Sequence, residues 1–357
     1  MMAAAAVVLA VSSHPCPTPT NWTRQVSVTG GHYLHLRVFG CAGAPSVLFL
    51  HGGWGPHPSD ESYDAGGLID SERYQIVMFH QRGWGRSTPS GGTVNNTLAD
   101  NIADCEVVRR EAGVDRWAVV YGGSNGAMLG LAYAATHPQR MGGIVLRGLW
   151  LIRTQDLLYD YCTLNGKAAY FPQDWDSFAD RVGCGRSDGF TCQDLDLVRR
   201  YGAALDGPDA EAHGAAAAWL AYDALGASVH PSLPGGDWSF PTAPLATARL
   251  GVSLYLEHAA DTSEVGGANL LTTAARRLGN GRMPFRLVTG TFDMLCPPAM
   301  AYEVAAALGD GGSLRVVSGA SHSARDPGMA SVIRESIESV ARLAGVVDSQ
   351  GRPKEDL

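Results

Sequence analysis

The sequence predicts an α/β fold, a mostly parallel sheet with helices on both faces, and three observations carry that prediction. Short apolar, β-branched runs recur along the chain, helical patterns lie between several of them, and the segments richest in chemistry each follow one of the runs. Runs that are apolar throughout, rather than at alternate positions, belong to a sheet buried on both sides. The expected strands are "SVLFL" (46–50), "YQIVMF" (74–79), "WAVVY" (117–121), "GIVLRG" (143–148), "FRLVTG" (285–290) and "LRVVSG" (314–319). Helices are expected over 98–112, 126–136, 298–308 and 327–344. The alternation breaks over 151–270, where Ala, Trp and Tyr are frequent and no strand pattern is seen, so this stretch reads as a helical insertion on top of the sheet. The expected organisation is a core from 26–150 and 271–347, a helical cap over 151–270, an N-terminal extension over 1–25 that is disordered or targeting, and a solvated tail over 348–357.

With 357 residues, the chain is long enough for one large α/β domain carrying such an insertion. A composition of 45% hydrophobic and 17% charged residues is that of a globular chain, not a disordered one. The formal charge of −8, with no basic patch, excludes a nucleic-acid or anionic-membrane surface and points to a small-molecule partner. "MMAAAAVVLAVSS" has an apolar run too short to span a bilayer, and no basic residue precedes it as in a standard secretory signal. The seven cysteines are scattered, odd in number and not at metal spacing, which fits a reduced, cytoplasmic protein, although Cys184 and Cys192 could close a small loop. The eleven histidines form no metal-binding motif, so neither a metal nor a cofactor is expected.

One turn stands out for chemistry. A strand runs into Gly122-Gly123-Ser124-Asn125-Gly126 and then into an alanine-rich helix, which is the G-x-S-x-G nucleophile elbow in its expected context. Its alternative is a glycine-rich turn that binds phosphate or nothing. A serine hydroxyl becomes a nucleophile when a histidine takes its proton and a carboxylate orients that histidine. In the α/β-hydrolase arrangement these follow in the order Ser, acid, His after late strands. "FRLVTG" leads to "TFDMLCPP" and Asp293, and "LRVVSG" leads to "ASHSARDPG" and His322. "LFLHGGWGP" sets two glycines after an early strand, so the backbone N–H groups of Gly53 and Asn125 are the expected oxyanion donors.

With these residues in place, the chain resembles the prolyl aminopeptidase (proline iminopeptidase) family of α/β hydrolases. The resemblance covers roughly 30–340 and rests on ordered matches: "LFLHGGWG", "FHQRGWGRSTP", "GGSNGAMLGLAYAATHP", "LRGLW", "YFPQDW", "GTFDMLCPP" and "SGASHSARDPGM". It implies a hydrolase core under a helical cap and removal of N-terminal proline from peptides without metal or cofactor. The resemblance also implies that Asp223 and Glu257 hold the substrate's charged amine. It further implies that Trp150, Tyr159 or Tyr161, and Cys296 line the ring pocket. The chain departs from the family's HGGPG, DQRG and GGSWG in having Trp54, His80 and Asn125, which changes the walls around the scissile bond. Asp223 is one methylene shorter than the family's glutamate, withdrawing its carboxylate by about 1.5 Å.

The expected reaction has Ser124 attacking the carbonyl of an N-terminal residue of a small peptide, with His322 shuttling the proton and Asp293 orienting His322. Two other readings stay open: the same triad acting on another small amide or ester, and a noncatalytic hydrolase-fold binding protein.

Overall fold

The computed structural model describes residues 16–53, 67–186, 192–228 and 243–348. Eight strands form one sheet in the order β1-β2-β4-β3-β5-β6-β7-β8. They are β1 (Pro19–Ser27), β2 (Tyr33–Cys41), β3 (Ser46–Leu50), β4 (Gln75–Phe79), β5 (Val119–Gly123), β6 (Ile144–Arg147), β7 (Phe285–Gly290) and β8 (Gly312–Val317). β1 pairs antiparallel with β2, and β2 with β4. From β4 to β8 every pairing is parallel.

The apolar runs form this sheet because alternate residues feed two separate cores. Leu48, Leu50, Val77, Phe79 and Val120 enter one core, and Val47, Phe49, Ile76, Met78, Val119 and Tyr121 the other. Helices Asn125–Thr136 and Pro298–Leu308 cover the first face through Leu129, Leu131, Val304 and Leu308. Helix Met329–Leu343 covers the second through Ile333, Ile337 and Val340. Each such side chain fully buried contributes about 1.5–3 kcal/mol, so neither face of these strands is left to solvent.

Between β6 and β7 the described residues are helical, with no strand among them. The longer helices there are Pro172–Asp180, Asp196–Leu205, Asp209–Asp223 and Pro244–Ala260. Aromatic side chains fill the space they enclose: Phe178 stacks on Tyr201 at 4.4 Å and on Tyr222 at 4.3 Å, and Tyr161 stacks on Trp219 at 4.6 Å.

The structure differs from the expectation in several places. β1 and β2 were not expected, and residues 19–25 of the supposed extension pair along β2. β1 is exposed or half-exposed everywhere except Val26, so no apolar run marks it. β2 buries His35 and Arg37 among its apolar residues, which dilutes its pattern. β5 ends two residues later than expected because Gly122 and Gly123 continue the ladder, opposite Leu50 and Arg147. The reading of reduced cysteines is corrected: Cys16 bonds Cys41 and Cys184 bonds Cys192, leaving Cys105, Cys162 and Cys296 free. Spacing could not show the first pair, because β1 and β2 bring its two ends together only in the fold. Disulfides persist in oxidising compartments, so the thiols no longer support a cytoplasmic location. Residues 1–15, Trp54 and the tail beyond 348 lie outside the described residues. No helix among the described residues is long and apolar enough to cross a membrane.

Candidate active site

The turn after β5 is the tightest piece of backbone at the site. Ser124 has φ 57° and ψ −125°, a left-handed conformation costly to any residue with a side chain. Its neighbours explain how the turn is tolerated. A Cβ on Gly122 would lie 2.1 Å from the Gly126 carbonyl oxygen, and one on Gly126 would lie 2.2 Å from that of Leu50. Only glycine fits at both places, so the G-x-S-x-G spacing is steric in origin. Ser124 donates its backbone N–H to the Arg147 carbonyl at 2.8 Å and caps helix Asn125–Thr136.

β6 runs beside β5 with Arg147 opposite Gly123, so the residues that follow them, Gly148 and Ser124, emerge side by side. His322 packs on that same spot. A Cβ on Gly148 would lie 2.8 Å from the His322 Cε1 and 3.3 Å from the Asp293 Oδ2. His322 Nδ1 meets Asp293 Oδ2 at 2.9 Å and Oδ1 at 3.1 Å. Oδ1 also accepts backbone N–H bonds from Leu295 at 3.2 Å and Cys296 at 2.8 Å, which fix the carboxylate in place. Both side chains are buried. A carboxylate on Nδ1 holds the ring's proton on that nitrogen and leaves Nε2 free to accept one.

The "HGG" loop after β3 lies against the serine. A Cβ on Gly52 would be 3.2 Å from Ser124 Cβ, and one on Gly53 would be 2.0 Å from Asn125 Nδ2. His51 locks the loop: its Nδ1–H donates to the Gly52 carbonyl at 2.7 Å while Nε2 accepts from the Gln81 N–H at 3.0 Å. Burial drives the His51 pKa down to about 4, so the ring stays neutral as this pattern requires.

The expected pocket residues divide into two groups. Glu257 and Asn125 line one cleft with Gln81, Trp84 and His258, and Glu257 Oε2 has no hydrogen-bond partner among the described residues. Burial raises the Glu257 carboxyl above its ordinary range, and Asp261 adds to the effect. Trp150 meets Tyr255 edge to face at 4.8 Å. Cys296 Sγ lies within 4.8 Å of ligand atoms of Asp293 and His322, and burial together with the Asp293 charge pushes its thiol well up. It is therefore a neutral, apolar wall beside the histidine. Tyr159 is half-buried and within electrostatic reach of Asp293 and Cys296. Asp223 belongs to the second group: it accepts a hydrogen bond from the Tyr161 hydroxyl deep among the helices between β6 and β7.

Three residues at or beside the site were not singled out from the sequence. Arg147 Nη1 donates to the His322 carbonyl at 2.6 Å. Asp160 and Lys167 are buried beside Asp223. The "RGLW" match held a signal for Arg147, whereas nothing local distinguishes a buried lysine from a surface one.

The sheet order, the strained serine turn and the paired acid and histidine after β7 and β8 define an α/β hydrolase. The model of the alpha/beta hydrolase fold family matches residues 45–326. The chain is 31% identical to a proline iminopeptidase of Arabidopsis thaliana over 327 residues, 90% of this chain and 80% of that one. It is 32% identical to the proline iminopeptidase of Neisseria gonorrhoeae over 313 residues, 87% and 93% of the two chains. The protein belongs to the proline iminopeptidase (prolyl aminopeptidase) family of α/β hydrolases. Among solved structures, a Mycobacterium smegmatis proline iminopeptidase matches with a TM-score of 0.57 at 17% identity, over 90% of this chain and 100% of that one. A haloalkane dehalogenase variant from Bradyrhizobium elkanii matches with a TM-score of 0.62 at 18% identity, over 92% and 98%. At such identities these two likenesses concern the fold.

Proposed function

We propose that the protein is a serine exopeptidase that releases an N-terminal residue, proline most readily, from small peptides. The observation that carries this reading is the 2.9 Å bond from His322 Nδ1 to Asp293, made by a ring packed on Gly148 beside the Ser124 turn. Ser124 Oγ attacks the carbonyl of the first residue as His322 Nε2 takes its proton. The negative oxygen that forms is met by the backbone N–H groups of Gly53 and Asn125. His322 then hands the proton to the leaving amine, and the C–N bond breaks to give an acyl-enzyme. Water, deprotonated by the same nitrogen, attacks the ester and frees Ser124. A charged N-terminal amine needs a carboxylate close to the reacting carbonyl, and Glu257, sharing a cleft with Asn125, supplies one. The family relationship supports proline as the preferred residue, with Trp150 and Cys296 as apolar walls for its ring.

Ser124→Ala should lower kcat/KM on proline β-naphthylamide by about 10⁴-fold while leaving the far-UV circular dichroism spectrum unchanged. Turnover within tenfold of wild type would overturn the assignment. A second reading, hydrolysis of a neutral amide or ester, is favoured by one observation, the engagement of Asp223 by Tyr161. Wild-type turnover of p-nitrophenyl esters with none of proline β-naphthylamide would establish it.

A further inference from the structure

Lys167 is fully buried and its Nζ makes no hydrogen bond among the described residues. The ammonium instead lies 4.6 Å from the ring centroid of Tyr222 and 5.3 Å from that of Tyr161. Asp160 Oδ1, also without a hydrogen bond, is 4.0 Å away. Asp223 is within electrostatic reach of both Lys167 and His322. Two tyrosine faces and two buried carboxylates are the chemistry that recognises an ammonium ion. The local backbone serves this arrangement, since Asp160 and Tyr161 sit in a single π-helical turn, Leu158–Cys162, that buries both.

We propose that Lys167 fills this cage with the chain's own cation, so that Asp223 is not a ligand of the substrate amine and Glu257 alone holds it. The inference rests on the reading that the substrate carries a free N-terminal amine. A second ammonium entering the cage would meet Lys167 in a low-dielectric setting, where like charges are strongly unfavourable. Glu257 faces no such competitor among the described residues: burial and neighbouring carboxylates raise its pKa, and its Oε2 has no partner among them in the cleft it shares with Asn125. Lys167 thus determines specificity by occupying a place a substrate could otherwise use.

The test is calorimetric titration with L-prolinamide and with its uncharged counterpart, cyclopentanecarboxamide, in a Ser124→Ala background that stops turnover. Lys167→Met should tighten prolinamide binding about fivefold or more without moving the neutral amide, a gain that mere structural damage does not produce. Glu257→Gln should weaken prolinamide by about tenfold or more, whereas Asp223→Asn should change it less than about threefold. Tenfold weakening by Asp223→Asn with Lys167 present would overturn the proposal, as would the absence of tightening in Lys167→Met. If Lys167→Met does not fold, the Asp223→Asn result decides alone. If prolinamide does not bind the background protein, binding acquired by Lys167→Met supports the proposal and continued absence overturns it. Failure of the exopeptidase reading has a separate mark: wild type that cleaves esters and not proline β-naphthylamide.

Discussion

At Arg147, two loops from distant parts of the sequence are held in one geometry. Its carbonyl accepts the Ser124 N–H at 2.8 Å, and its guanidinium donates to the His322 carbonyl at 2.6 Å. It touches no reacting atom in the mechanism, so it acts as a positioning residue. A charge-assisted hydrogen bond of this kind is worth about 1.5–3 kcal/mol. Spent on aligning His322, that predicts a kcat roughly 10- to 100-fold lower in Arg147→Met with KM nearly unchanged. Steady-state kinetics check this, and a raised KM at normal kcat would contradict it. The Ser124 turn and the pairing of Asp293 with His322 were legible in the sequence because each residue follows a strand, in the order serine, acid, histidine. Arg147, at the end of an apolar run, was marked only by the "RGLW" match. Lys167 was hidden for another reason: its burial is created by Tyr161 and Tyr222, which only the fold brings around it.

Among the elements, the helix Leu98–Glu111 shows how local signals and tertiary contacts combine. Thr97 and Asp100 form a reciprocal cap at its start, with Asp100 N–H donating to Thr97 Oγ1 at 3.1 Å and Thr97 N–H to Asp100 Oδ2 at 3.0 Å. The sequence therefore placed that end well. Further along, Glu106 accepts from Arg109 Nε at 2.9 Å and from the Tyr133 hydroxyl at 2.6 Å, tying this helix to helix Asn125–Thr136, which follows the Ser124 turn. Burial alone would raise the Glu106 pKa, but the hydrogen bonds from Arg109 and Tyr133 outweigh it and bring it to about 2. A carboxylate with a folded pKa below its unfolded value of 4.5 contributes stability above pH 4.5, and loses it as the pH falls towards 2. Glu106→Gln should cost about 1–3 kcal/mol at pH 7, and less at pH 3.5, in urea unfolding. An equal penalty at both pH values would contradict this account.

For the whole molecule, β3 to β7 were legible because burial on both faces demands apolar residues at nearly every position, and β8, the far edge of the sheet, because its run is apolar although largely exposed. β1 and β2 were not, because β1 is largely exposed and β2 mixes His35 and Arg37 into its apolar run. That edge is instead secured covalently, by Cys16 and Cys41, separated by 25 residues. Closing a loop of this size restricts the unfolded chain by about 3 kcal/mol. Cys16→Ser should therefore lower the unfolding free energy by about that amount, and denaturation of the unsubstituted protein without reductant should expose the three free cysteines. A titration finding seven thiols would contradict the pairing. The central claim is that sheet, turn and late loops meet to make Ser124 a nucleophile, and it is tested most directly by labelling with a fluorophosphonate followed by peptide mass spectrometry. One adduct per chain, on the peptide containing Ser124 and lost in His322→Ala, is the predicted result. No adduct, or one on another residue, would contradict it.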